Sequence, residues 1–132
     1  MINIDGRIVG TWRLVGTMGK DDQGKLLPPP YGPQALGLVI FNANGRMMAV
    51  LNDGRAEMPA GETRAYVSYA GTYTFDGTTL VTRVDVSSDP TRIGTDQVRR
   101  VRFEGERLVL MPPPRLWRGV MQHRELFWEK VG

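Results

Sequence analysis

Two tyrosines, a glutamine and an arginine fall on shared faces of predicted strands, where they could act together on a small molecule. Successive side chains of a strand point to opposite faces. In the run 68–75, Tyr69, Gly71, Tyr73 and Phe75 therefore share one face. In the run 94–103, Thr95, Gln97, Arg99, Val101 and Phe103 share another, opposite Asp96, Val98, Arg100 and Arg102, whose charges suit solvent. Phe75 and the Val101/Phe103 pair turn both of the first sets inward. Arg99 is then interior, and a buried guanidinium is costly unless it is paired. The chemistry on offer is capture of a carboxylate, enolate or phenolate through charged hydrogen bonds. The alternatives are an exterior arginine, or one paired internally with a carboxylate such as Asp85.

The only histidine, His123, is the one side chain here that titrates near neutrality without help. It belongs to the set Met121, His123, Glu125 and Phe127, against Val120, Gln122, Arg124, Leu126 and Trp128. If the first set faces inward, His123 could act as general base or acid beside Tyr69 or Tyr73, and it counts as a ligand contact. The second set is preferred, because Leu126 and Trp128 make a good plug with Trp12. Met47 and Met48 alternate across a strand, so one faces inward as soft pocket lining; Met48 is taken as the ligand contact. Among the three serines, only Ser68 with His123 could start a triad, and no motif supports it. Gly16-Thr17-Met18-Gly19-Lys20 lacks the spacing and final hydroxyl of a phosphate-binding loop. No catalytic residue is assigned. With no cysteine and one histidine, no metal site or cofactor is expected.

The elements that must position these groups are read from punctuation. Gly and Pro make up 25 of 132 residues and cluster between short runs rich in Val, Leu, Tyr, Phe and Thr. Eight runs result: 10–17, 36–42, 46–52, 68–75, 79–87, 94–103, 106–111 and 119–130. One helical turn is expected around 6–9, capped by Asp5, and another over Glu62 to Tyr66. Asn42-Ala43-Asn44-Gly45, Asp76-Gly77 and Glu104-Gly105 are hairpin turns. The remaining connections, 18–35, 53–67, 88–93 and 112–118, are longer, and long and short alternate strictly. In an up-and-down meander this gathers every tight turn at one end and every long loop at the other. Eight such strands close into an antiparallel barrel, which removes both edges. Trp12, Phe41, Phe75, Phe103, Phe127 and Trp128 fall toward the tight end as a plug. Tyr31, Tyr66, Tyr69 and Trp117 fall toward the mouth. Pro28-Pro29-Pro30 and Pro112-Pro113-Pro114 are read as stiffeners of the rim loops rather than as polyproline ligands.

Size and charge set the remaining bounds. One domain, 1–132, is expected, with 41% apolar and 23% charged residues, as in a soluble globular protein. The net charge is +3, split as −1 over residues 1–91 and +4 over 92–132. The basic third is read as solvated strand faces, without a nucleic-acid partner. No apolar run spans a bilayer and no secretory leader is visible, so no membrane partner and a cytoplasmic location are expected.

Gly10-Thr11-Trp12 resembles the G-x-W signature that opens the first strand of lipocalins. Tyr31-Gly32-Pro33, Asn44-Gly45-Arg46-Met47-Met48, Tyr69-Ala70-Gly71-Thr72-Tyr73, Gly94-Thr95-Asp96-Gln97-Val98-Arg99-Arg100 and Leu126-Phe127-Trp128-Glu129 extend the likeness over nearly the whole chain. On these stretches the chain resembles the bacterial lipocalin-like domain family of the calycins. The resemblance implies an eight-stranded barrel with a central pocket, in a fold whose members bind, carry, isomerise or cyclise different small molecules. It also implies a structural place for Arg124, stacked near Trp12. The expected function is binding of a small, largely apolar or aromatic molecule bearing a polar or anionic group, by a monomer or homodimer. The alternative is a cofactor-independent isomerase, cyclase or lyase working by proton transfer. The expected ligand contacts are Tyr69, Tyr73, Gln97, Arg99, Met48 and His123.

Overall fold

The computed structural model describes residues 3–132, and its regular structure is almost all β. The strands are β1 (Gly10–Lys20), β2 (Leu26–Leu27), β3 (Ala35–Phe41), β4 (Arg46–Asp53), β5 (Tyr66–Phe75), β6 (Thr79–Ser87), β7 (Asp96–Glu104), β8 (Arg107–Met111), β9 (Arg115–Trp117) and β10 (Val120–Lys130). All but β2 and β9 form an antiparallel eight-stranded meander, and β10 pairs back onto β1 to close the barrel. The eight runs read from the sequence are these eight strands. The short β2 and β9 flank β1 and β10 at the mouth; so few residues carry no readable alternation.

Alternation decides the faces. Along β4, Met47, Ala49, Leu51 and Asp53 are buried while Met48 and Val50 are exposed. Irregularities bend the strands where closure demands it, between Leu14 and Gly16 on β1 and opposite Ala70/Gly71 on β5. A Cβ on Gly71 would run into the backbone carbonyl of Arg83. Glycine is therefore required where the two strands approach most closely. The β6 strand carries the extra residue, since Gly71 faces Val84 but Ala70 faces Val86. Parity reverses there: Leu80, Thr82 and Val84 are buried, but Val86, next in the same alternation, is 60% exposed.

The tight end is sealed from below. Asp5 caps a 3₁₀ turn (Gly6–Ile8), accepting a hydrogen bond from the Arg7 amide at 3.0 Å. Ile8 is fully buried and its carbonyl accepts from the Trp12 indole Nε1 at 2.8 Å. Phe41, Phe75 and Trp128 complete the plug, and Phe41 meets Tyr73 edge-on at 5.1 Å between ring centroids. Phe127 does not join it, because its parity is opposite to that of Trp128 and it takes the outer face. Arg124 is also remote from Trp12; the cation over that ring is Lys130, 5.6 Å from its centroid.

At the mouth, the expected helical turn over Glu62 to Tyr66 is absent: Tyr66 is drawn into β5 opposite Asn52. Arg64 instead fastens the loop, donating to the carbonyls of Asp53 at 2.7 Å and Arg55 at 2.5 Å. Among the described residues, no helix is long and apolar enough to cross a membrane. The plug gives the first prediction: Trp12→Ala removes a large buried aromatic and one hydrogen bond, so it should destabilise by about 3–5 kcal/mol in urea denaturation. A loss below about 1 kcal/mol would place Trp12 outside the core.

Candidate ligand-binding site

The barrel keeps a cavity of about 50 Å³ between its plug and its mouth. By liquid volume this is room for one or two waters. Apolar residues from several strands, Val39, Ala49, Leu51, Val67, Leu110 and Leu126 among them, form the wall, and Trp128 lies at its base. The upper lining is polar and of one sign: Arg92, Arg99, Arg115 and Arg124, with Tyr31 and Tyr69. No carboxylate lines this space.

Each arginine has a traceable partner, and for the two deeper ones that partner is neutral. Arg99, on the inward face of β7, donates to the Gln97 side-chain oxygen at 2.6 Å and to the Val98 carbonyl at 3.0 Å. Arg124, on the inward face of β10, donates through Nη2 to the Pro113 carbonyl at 3.2 Å, while its buried Nε has no partner. Arg115 donates to the buried Gln122 at 2.9 Å. Only Arg92, at the rim, approaches a carboxylate, with Asp89 at 3.7 Å. Nearby acids are committed elsewhere. Asp53, buried at the mouth, is held by Arg55 at 2.6 Å, and Asp85 is bound by Arg46 on the outer surface at 2.6 Å.

Burial pushes the Arg124 guanidinium down to about 10, aided by the neighbouring charges of Arg115, Arg99 and Arg92. At neutral pH it still holds its proton, so the charge is present and uncompensated. Burial likewise lowers Arg99 and raises the Tyr69 phenol, each partly offset by the other. The Trp128 indole N–H, at the base of the same cavity, is a second buried donor without an acceptor. The site is thus a set of donors and positive charge above an apolar cup.

The sequence-derived contacts divide in two. Tyr69 and Arg99 line the cavity, and Gln97 holds Arg99 from behind. Tyr73 faces inward but lies below the cavity, its hydroxyl donating to the Asn42 carbonyl at 2.8 Å. Met48 is corrected: it is 53% exposed on the outer face, and Met47 supplies the lining. His123 is likewise outside, its Nε2 2.7 Å from Asp22 Oδ1. Leu126 and Trp128 win the inner face of β10 because their apolar area gains more from burial than an imidazole would.

Arg92, Arg115 and the cavity role of Arg124 escaped sequence reasoning, and Tyr31 was read only as a residue of the mouth. Three of the four come from loops or a loop-borne strand, where parity gives no direction. Tyr31 carries a signal of a different kind, a left-handed φ of 65°. Its loop is tied down by Thr17, which donates to the Pro30 carbonyl at 3.0 Å.

With the barrel closed, G-x-W on β1 and a cavity in its centre, the class is a lipocalin-like β-barrel. The chain belongs to the lipocalin-like domain family, which it matches over residues 9–131. No curated protein and no solved structure matches it. The family fold suggests small-molecule binding in general.

The unpaired charge yields the second prediction. Arg124→Met keeps most of the stem's packing and removes the uncompensated guanidinium. The ligand-free protein should become more stable by on the order of 1 kcal/mol in urea denaturation. A loss of about that size instead would mean that the charge is satisfied inside the barrel.

Proposed function

We propose that the protein binds a small organic anion at the arginine-lined part of the barrel, with its carboxylate or equivalent group between Arg99 and Arg124. The observation that carries this reading is the lining itself, four arginines and no acid, with the Nε of Arg124 left without an acceptor. A charged hydrogen bond to a buried group contributes about 1.5–3 kcal/mol. A ligand anion would also relieve the mutual repulsion of the guanidiniums, which a neutral ligand would not. A binding role is favoured over proton-transfer catalysis by the arrangement of titrating groups. His123 and the carboxylates lie outside the cavity, and the inward-facing phenols of Tyr69 and Tyr73 are made less acidic by burial.

The test uses butanoate and its neutral counterpart butanol, titrated into the protein and followed by NMR. Butanoate should bind, and Arg99→Met should weaken it by about 1.5–3 kcal/mol. Butanol should be indifferent to the substitution. Equal affinity of wild type and Arg99→Met for butanoate would refute the reading.

A further inference from the structure

The hydrogen-bond ladder of the closed barrel is interrupted on one side. The β8 strand ends at Met111, its last pair being with Arg100 of β7. From there the first half of β7 is paired only with β6. On β10, residues 126–128 pair with β8 and 120–122 with β9, which leaves 123–125 without a ladder on that side. The gap between β7 and β10 is crossed by Pro112-Pro113-Pro114. Proline has no N–H to donate, so this segment cannot be zipped into either neighbour. The seam is held by side chains.

Outside the seam runs a groove of about 490 Å³, lined by Met18, Val98, Met111 and the three prolines and rimmed by Lys20, Arg100, Arg102, His123 and Glu125, the last paired with Arg102 at 3.1 Å. Pro112 and Arg124 line both this groove and the interior cavity. The Nη2 of Arg124 reaches the carbonyl of Pro113 in the partition between them. The two spaces therefore meet at one guanidinium. Their sizes are complementary. The cavity is far smaller than the roughly 300–1,000 Å³ usual for small-molecule sites, whereas the groove falls within that range. The groove also supplies the apolar contact surface, including two adaptable methionines.

We propose that the ligand is an anionic amphiphile whose head is held by Arg99 and Arg124 and whose alkyl tail leaves sideways between β7 and β10 to lie in the groove over Met18, Val98 and Met111. This rests on the reading of the cavity as an anion site and adds the class of molecule: a carboxylate with a long, flexible, apolar chain. A tail in the groove keeps the mouth loops undisturbed and covers apolar side chains, such as the 41%-exposed Val98, that otherwise face water.

The experiment compares butanoate with dodecanoate on the full chain, wild type and Val98→Trp, by calorimetry and NMR. Each added methylene that leaves water favours binding, so dodecanoate should bind wild type at least about tenfold more tightly than butanoate. Val98→Trp fills the groove from the outer face. It should remove most of that gain and leave butanoate within about twofold. Dodecanoate carrying a diazirine at its far end should label residues 98–100 or 111–114 of the wild type, a readout that needs no variant. If butanoate binds but chain length gives no gain, or if the label lands on β3 and β4 inside the barrel, the lateral path is wrong while the anion site stands. If neither carboxylate binds, the anion site itself fails and the path with it. A protein mass that rises with concentration and is reset by Val98→Trp would assign the groove to a second copy and overturn the proposal.

Discussion

Positive charge held inside a barrel without a carboxylate is the constraint on which the rest of this structure turns. A guanidinium taken out of water loses several kcal/mol of solvation, which an ion pair or a full set of acceptors must offset. Arg99 is given two neutral oxygens and Arg124 one. The acids that could have neutralised them, Asp53 and Asp85, are fixed to Arg55 and Arg46 away from the cavity. A fold organised only for stability would place an aliphatic side chain at Arg124. That this chain does not, and that two more arginines line the same space, is what supports the proposal of an anionic partner.

Such a site needs a rigid frame, because like charges left to themselves would separate. The frame comes from the tight end. Ile8 of the 3₁₀ turn, Trp12, Phe41, Phe75 and Trp128 are all buried together beneath the cavity. The closed ladder from β10 to β1 fixes the inward direction of Arg124, and the β6–β7 ladder fixes that of Arg99. The packed aromatic core thus lies at one end and the buried arginines toward the other, where the long loops and the proline segment lie.

Much of this was legible in the chain. The alternation of Tyr69 with Tyr73 and of Gln97 with Arg99 against phenylalanines gave their faces, and the alternation of short and long connections gave the cup. What the sequence hides is everything that parity does not govern. The extra residue in β6 turned Val86 outward, an effect of local register that no composition reveals. Met47 and Met48 are chemically identical, so only the closed register of β4 tells which one lines the cavity. Arg124 was given its inward face by parity. Its height in the barrel depends on the β1–β10 register, which pairs Gly19, not Trp12, with it. Arg92, Arg115 and Tyr31 arrive on loops, where tertiary contacts set direction.

The most direct test of the account is the side-chain NMR spectrum of the arginines as butanoate is added. The Nε–H of Arg124, buried and without an acceptor, should move downfield and exchange more slowly with water as its charge gains a partner, with Arg99 responding alongside it. Binding that leaves both Nε–H signals in place and instead moves arginines of the outer surface, such as Arg46 or Arg83, would contradict the claim that the interior guanidiniums hold the anion.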